Sequence, residues 1–199
     1  TPGGSSSTGN GPSGDNAVFD DVTIGNTTMT RVQPGTFDSM TIGSFAMSGT
    51  AITSDTVSME NIEATTITVN GCGWNFHMLG VTTGSLSSTG CSNGENKVLL
   101  EDGDFTHSDT VNPMIYARYS DVTIGLTDVA TLSGTADVAY ADTNSKIKLI
   151  QVLMNGATSP YDGTDGMVMA SSSAEIWYGG LASAFTYRNA LVGNTFTPI

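Results

Sequence analysis

A seven-residue motif recurs in this chain and constrains its fold more than any other feature of the sequence. Phe19-Asp-Asp-Val-Thr-Ile-Gly25 is followed 18 residues later by Phe37-Asp-Ser-Met-Thr-Ile-Gly43, and a third copy, Tyr119-Ser-Asp-Val-Thr-Ile-Gly125, lies farther along. Apolar and polar side chains alternate in each copy, which is the period of a β-strand. The motif therefore predicts short repeated strands, each followed by a glycine that supplies a turn or bulge.

The alternation also predicts which side chains form the core. One face of the sheet should bury the apolar positions of the three copies, while the intervening threonines point to the opposite face. The predicted core positions are Val22, Ile24, Met40, Ile42, Val122 and Ile124, and the threonines are Thr23, Thr41 and Thr123.

The rest of the chain supplies further candidate strands, about a dozen in all at a spacing of about 8–12 residues. They lie at residues 57–59, 66–71, 97–100, 114–119, 129–132, 136–140, 146–154, 167–169, 174–178, 184–187 and 196–199. Residues 146–154 also fit a short helix, but Asn155-Gly156 is a hairpin turn signal and favours a strand. We predict an all-β fold, an antiparallel sandwich or meander of many short strands. A short β-solenoid in the first third is the alternative.

Composition divides the chain into a leader and one β domain. Residues 1–16 contain only small, polar or proline side chains and predict a flexible leader that another subunit could order. We predict a single domain over residues 17–199, with a repeat region at 17–71 and the remaining strands at 97–199. Residues 72–96, rich in Gly and Ser, are expected to leave the sheet as a loop closed by a disulfide.

The two cysteines, Cys72 and Cys91, enclose that loop and favour a disulfide in an oxidising compartment. Together with His77 and His107 they could also hold zinc, but their spacing lacks the short pairs of ligands that zinc sites use. The polar start without Met is typical of a mature chain whose signal peptide has been removed. The expected location is therefore extracellular or at a cell surface.

Charge excludes several classes of partner. Lys and Arg total 6 against 19 Asp and Glu, for a formal net charge of −13. Nucleic-acid binding needs clustered basic residues, and here they are scattered. No run of 18 apolar residues could cross a membrane as a helix. We expect neither nucleic-acid binding nor membrane insertion.

Candidate chemical sites are few. Two acidic segments with glycine resemble weak Ca²⁺ loops, although tight turns use the same residues; their candidate ligands are Asp102, Asp104, Asp162 and Asp165. Glu175 and Trp177, which alternation places on one strand face beside Tyr178, suggest a sugar site but lack an opposing acid. Asn26 begins a glycosylation sequon in a predicted surface turn. No residue set predicts catalysis, and no cofactor other than Ca²⁺ is indicated.

The repeated strands, the Gly/Ser leader and the scarcity of lysine resemble bacterial or archaeal surface-layer and filament subunits, and also phage fibre or capsid-decoration proteins. The first functional hypothesis is a subunit that assembles with copies of itself through sheet edges and the leader, with Val18 and Phe19 as apolar anchors. The second is a module of an adhesin or fibre that binds a cell-surface glycan or receptor. A secreted hydrolase is the third and least supported.

Overall fold

The structure is a computed structural model that describes residues 8–9, 18–21, 23–30, 35–50, 56–107, 112–125, 130–134, 138–150, 152–154, 167–169, 171–178, 187–189 and 196–198. The predicted Asn155-Gly156 turn, Val22, Asp162 and Asp165 lie outside these residues.

The described residues form nineteen β-strands. The first nine are β1 (Thr8–Gly9), β2 (Val18–Asp20), β3 (Thr23–Thr30), β4 (Thr36–Asp38), β5 (Thr41–Thr50), β6 (Thr56–Glu60), β7 (Glu63–Cys72), β8 (Asn75–Thr89) and β9 (Asn96–His107). The others are β10 (Ile115–Arg118), β11 (Ser120–Ile124), β12 (Ala130–Gly134), β13 (Ala139–Ala141), β14 (Lys146–Leu149), β15 (Val152–Met154), β16 (Met167–Met169), β17 (Glu175–Tyr178), β18 (Tyr187–Asn189) and β19 (Phe196–Pro198).

All pairings between these strands are parallel, and they build a β-solenoid with three sides. Side one stacks β2, β4, β6, the start of β8, the start of β9, β11, β14, β17 and β19. Side two includes the starts of β3, β5 and β7, the end of β9, β12 and β15. Side three carries β1, the ends of β3, β5, β7 and β8, and then β10, β13, β16 and β18.

The all-β prediction is therefore confirmed, whereas the antiparallel sandwich or meander is wrong. The solenoid also extends well beyond the first third of the chain. Alternation identifies a strand but does not reveal its neighbour, and the turns of this solenoid differ in length. Four turns separate Thr36, Ser58, His77, Leu99 and Thr123, which occupy one column of side one.

The repeated motif corresponds to the solenoid turn in its first two copies only. Phe19 pairs with Phe37 and Ile24 with Ile42, each 18 residues apart. The third copy lies on a different side, because its Ile124 pairs with Leu100 in side one instead of following Ile42 in side two. A similar sequence thus occupies two different places in the solenoid.

The core fills the space between the three sides with columns of apolar side chains. One column runs Phe37, Met59, Met78, Leu100, Ile124 and Leu149, all at most 1% exposed. Of the predicted core residues, Met40, Ile42, Val122 and Ile124 are buried and Ile24 is partly buried against them. Thr23 and Thr41 are exposed and Thr123 is half-buried, as their outward positions require.

The corner between sides one and two repeats a left-handed residue at successive turns. Asp21, Ser39, Asn61 and Gly80 have φ of 49°, 52°, 52° and 62°. Asp and Asn tolerate this conformation better than most residues, and glycine adopts it without a steric cost. Gly25 and Gly43 lie two residues into side two, where the chain bends towards side three.

The segment predicted to leave the sheet does not do so. Asn75–Thr89 forms β8, the longest strand, and it contributes to all three sides. Gly and Ser were taken as loop formers, but here they are the small residues that fit between closely stacked turns. A Cβ on Gly84 would lie 2.7 Å from the Thr65 carbonyl oxygen.

The predicted disulfide between Cys72 and Cys91 is present. It joins the end of β7 to a short turn after β8, at the corner between sides three and one. Trp74 lies beside it, buried, with its indole Nε1 donating to the Gly49 carbonyl oxygen at 3.1 Å.

Reduction of this disulfide should lower the free energy of unfolding by about 3 kcal/mol, because the bond closes a loop of some twenty residues in the unfolded chain. The double variant Cys72→Ser/Cys91→Ser, compared with the oxidised protein in urea, measures this loss. Reduction should also raise the intact mass by two protons. Bound zinc with two free thiols would contradict the assignment.

The leader is described at Thr8 and Gly9, where β1 pairs with β3 of the same chain. At these two positions the expectation that only a neighbouring subunit orders the leader is wrong. The rest of residues 1–16 lies outside the described part of the chain. Among the described residues, no helix is long and apolar enough to cross a membrane.

Candidate functional site

A groove of about 580 Å³ on side three has the composition of a ligand site. Its volume is within the range of about 300–1,000 Å³ that is usual for small-ligand sites. The lining comprises Thr66, Thr68, Ser85, Ser87, Asn112, Pro113, Tyr116, Tyr140 and Asp142. We call this set the tyrosine groove.

The groove is formed by a change of side-chain size along one column of side three. Thr68, Ser87, Tyr116 and Tyr140 follow one another in register on successive turns. Since these positions all point outward and are half-buried, the small residues form a low floor and the tyrosines form a raised step beside it. The two tyrosine rings are stacked, with centroids 5.7 Å apart and an interplanar angle of 26°.

Asp142 orients this step. The Tyr116 hydroxyl donates to Asp142 Oδ2 at 3.2 Å, and Arg118 Nε lies 3.9 Å from the same oxygen. The Thr143 amide and hydroxyl donate to Asp142 Oδ1 at 2.6 and 3.0 Å. Burial raises the pKa of the Tyr116 phenol, and the neighbouring carboxylate raises this pKa further. The groove therefore presents a neutral phenol and a carboxylate whose charge is partly balanced by Arg118.

A second surface, on side one, carries charged residues in alternating order. Lys97, Asp121, Lys146 and Glu175 occupy one column on successive turns. Lys146 Nζ lies 3.1 Å from Glu175 Oε2, and Lys148 Nζ lies 3.2 Å from Asp121 Oδ2. Opposite charges on adjacent strands stabilise a sheet by about 0.2–1 kcal/mol per pair. We interpret this charge column as support for the register of the sheet.

The aromatic cluster singled out in the sequence belongs to this charge column. Glu175 and Trp177 share a strand face as expected, and the Trp177 indole donates to Glu175 Oε2 at 2.8 Å. This hydrogen bond lowers the pKa of Glu175, and Lys146 lowers it further while lying 5.0 Å from the Trp177 ring centroid. A general acid of a glycosidase needs a raised pKa. The geometry therefore favours a structural role for the cluster.

The remaining candidate residues are not brought together. Asp102 and Asp104 are exposed on β9, so the predicted acidic loop is a strand whose carboxylates point outward. In the described ranges no group of three or more His, Cys, Asp or Glu could hold a metal ion. His77 Nε2 lies 3.2 Å from Glu101 Oε2, and both cysteines are oxidised, which removes the thiolates of the zinc alternative.

Asn26 is exposed but lies within β3, so the predicted surface turn at the sequon is wrong. The predicted assembly anchors Val18 and Phe19 form β2, whose backbone pairs with Thr36 and Phe37 of the same chain. Their glycosylation and assembly roles stay predictions.

Sequence reasoning missed the tyrosine groove. Tyr116 and Tyr140 are 24 residues apart in candidate strands that give no sign of pairing, and the small residues of the floor come from still earlier turns. A weak signal existed in the repeated Tyr-Ala dipeptide at 116–117 and 140–141, the two segments that pair in register.

A comparison of the chain with protein-family models, with curated proteins and with solved structures yields no match.

Proposed function

We propose that the chain is a structural subunit of an extracellular assembly, in which copies join by continuing each other's parallel sheets. The observation that carries the proposal is the ladder of side one, which keeps its parallel pairing from β2 to β19. Among the described strands, β2 and β19 each have one hydrogen-bonded neighbour on this side. Unpaired strand edges are templates for another chain, and a head-to-tail contact between copies extends without closing.

The surface and the disulfide support this proposal. Charged residues are only 13% of the chain, so neighbouring copies would meet largely through hydroxyl and amide groups with little charge to desolvate. The disulfide is compatible with an oxidising extracellular location. Because Thr8 and Gly9 pair within their own chain, the proposal depends on the sheet edges and not on the leader.

The matched variants Val18→Lys and Ser58→Lys test the edge contact. Both positions belong to one column of side one, but Ser58 lies on an interior turn and Val18 lies on β2. Lysine on an edge strand disfavours pairing with another chain. We expect filaments of the unsubstituted protein in negative-stain micrographs at high concentration. Val18→Lys should raise the concentration needed for assembly about tenfold, or about 1.4 kcal/mol, and Ser58→Lys should change it little.

Sedimentation velocity on the same samples gives the opposing outcome. A protein that stays monomeric at every concentration would contradict the proposal. Equal effects of the two lysine variants would show that assembly does not use the β2 edge.

A second candidate is a binding module of an adhesin or fibre, for a cell-surface glycan or a receptor. The tyrosine groove favours it, because stacked aromatic rings beside several hydrogen-bonding groups are typical of a ligand site. The two candidates are compatible, since the groove lies on side three and the edge contact of the first proposal is on side one.

A further inference from the structure

We infer that the tyrosine groove binds a neutral oligosaccharide. This inference deepens the binding-module candidate and does not depend on assembly. A sugar ring has apolar C–H faces and a rim of hydroxyl groups, so its site needs both an aromatic surface and polar groups that donate and accept hydrogen bonds.

The stacked pair Tyr116 and Tyr140 supplies the aromatic surface. The face of an aromatic ring carries partial negative charge and attracts the weakly positive hydrogens of C–H groups. The hydrogen bond from the Tyr116 hydroxyl to Asp142 and the stacking of the rings both restrict ring rotation. A surface that is already ordered loses little conformational entropy when a ligand covers it.

The floor of the groove supplies the polar groups. The hydroxyls of Thr66, Thr68, Ser85 and Ser87 can each donate one hydrogen bond and accept others, as the hydroxyls of a sugar do. Asp142 can accept additional hydrogen bonds at the edge of the step. Such mixed donors and acceptors suit a polyol better than an apolar ligand, which would leave them unsatisfied.

Charge selects a neutral sugar over an acidic one. The groove contains the Asp142 carboxylate, the balancing Arg118 already lies 3.9 Å from it, and the whole chain has a net charge of −13. An acidic polysaccharide would be repelled by this field. The ligand class is therefore a glycan without carboxylate or sulfate groups.

The direction of the groove indicates an extended ligand. Thr68, Ser87, Tyr116 and Tyr140 lie on four successive turns, and adjacent parallel strands are about 4.8 Å apart. The column therefore spans about 14 Å along the solenoid axis, which is longer than one sugar ring. We expect several linked sugar units to lie along the column, with one ring against the tyrosines.

Affinity electrophoresis tests the inference with four soluble neutral polysaccharides, namely mixed-linkage β-glucan, xylan, galactomannan and starch, and with acidic polygalacturonate as the comparison. At least one neutral polymer should retard the protein, and polygalacturonate should not. Tyr140→Ala should weaken binding about tenfold, because it removes half of the aromatic surface. Trp177→Ala, which removes an aromatic ring on side one, is the matched control and should leave retardation unchanged.

A second variant guards against loss of folding in Tyr140→Ala. Ser87→Trp adds a large side chain at a half-buried outward position and should fill the groove without entering the core. Circular dichroism checks that each variant is folded. Absence of binding to all four neutral polymers would overturn the inference, as would equal binding to polygalacturonate or undiminished binding by folded Ser87→Trp. Sedimentation velocity in the same buffers reports assembly separately, so failure of either proposal is recognised independently.

Discussion

Replacing Gly71 with alanine is expected to lower the free energy of unfolding by at least about 3 kcal/mol. Gly71 lies directly over Gly49 in the next turn, with a φ of +138° that side chains rarely adopt. A Cβ there would lie 1.6 Å from the Gly49 carbonyl oxygen, which is backbone and cannot rotate away. Steric crowding in a packed region typically costs about 1–3 kcal/mol, and an unfavourable φ adds about 1–2 kcal/mol.

The same shift would disturb Trp74, because its indole donates to that Gly49 oxygen. Urea unfolding followed by tryptophan fluorescence and by circular dichroism measures the loss. Gly43→Ala is the matched control within β5. Its new Cβ would lie 2.9 Å from Asn26 Oδ1, which is the end of an exposed and rotatable side chain. Gly43→Ala should change stability by less than about 1 kcal/mol, and equal losses in the two variants would contradict the steric argument.

Truncation of Ile42 to alanine should cost about 2–5 kcal/mol, because its side chain is 2% exposed and the removed atoms would leave a cavity between turns. Ile24 occupies the same column one turn earlier and is only partly buried. Ile24→Ala is therefore the internal comparison, with a smaller expected loss. Denaturant midpoints and slopes of both variants measure the difference, and an equal loss would show that burial along this column is uniform.

The position of the tyrosine groove shows why a local pattern does not reveal a site built from several turns. Tyr116 and Tyr140 become neighbours because the intervening chain completes one turn and returns with Ala139 on Ile115. The floor beside them comes from β7 and β8, more than one turn earlier. No spacing within a single strand carries this information, so the sequence pointed to Glu175 and Trp177, which are close in the chain.

The Gly/Ser-rich residues 72–96 illustrate a different error. Small residues favour loops in most proteins because they gain little from burial and lose much backbone entropy on ordering. In a solenoid the same residues are needed where two turns approach closely, as at Gly84 and at Gly90, whose Cβ would lie 2.1 Å from the Tyr119 carbonyl oxygen. Their role depends on the neighbouring turn, which composition does not specify.

The sequence by itself determined the local features of this protein. Alternating side chains predicted the strands and the burial of Met40, Ile42, Val122 and Ile124, and the two cysteines predicted their disulfide. Parallel pairing, the three sides and the tyrosine groove were decided only by the tertiary structure. The physical reason is that alternation is a property of one strand, whereas pairing depends on how far the chain travels before it returns. Here that distance varies from 18 residues between Thr23 and Thr41 to 22 between Thr41 and Glu63, which hides the repeat from sequence spacing.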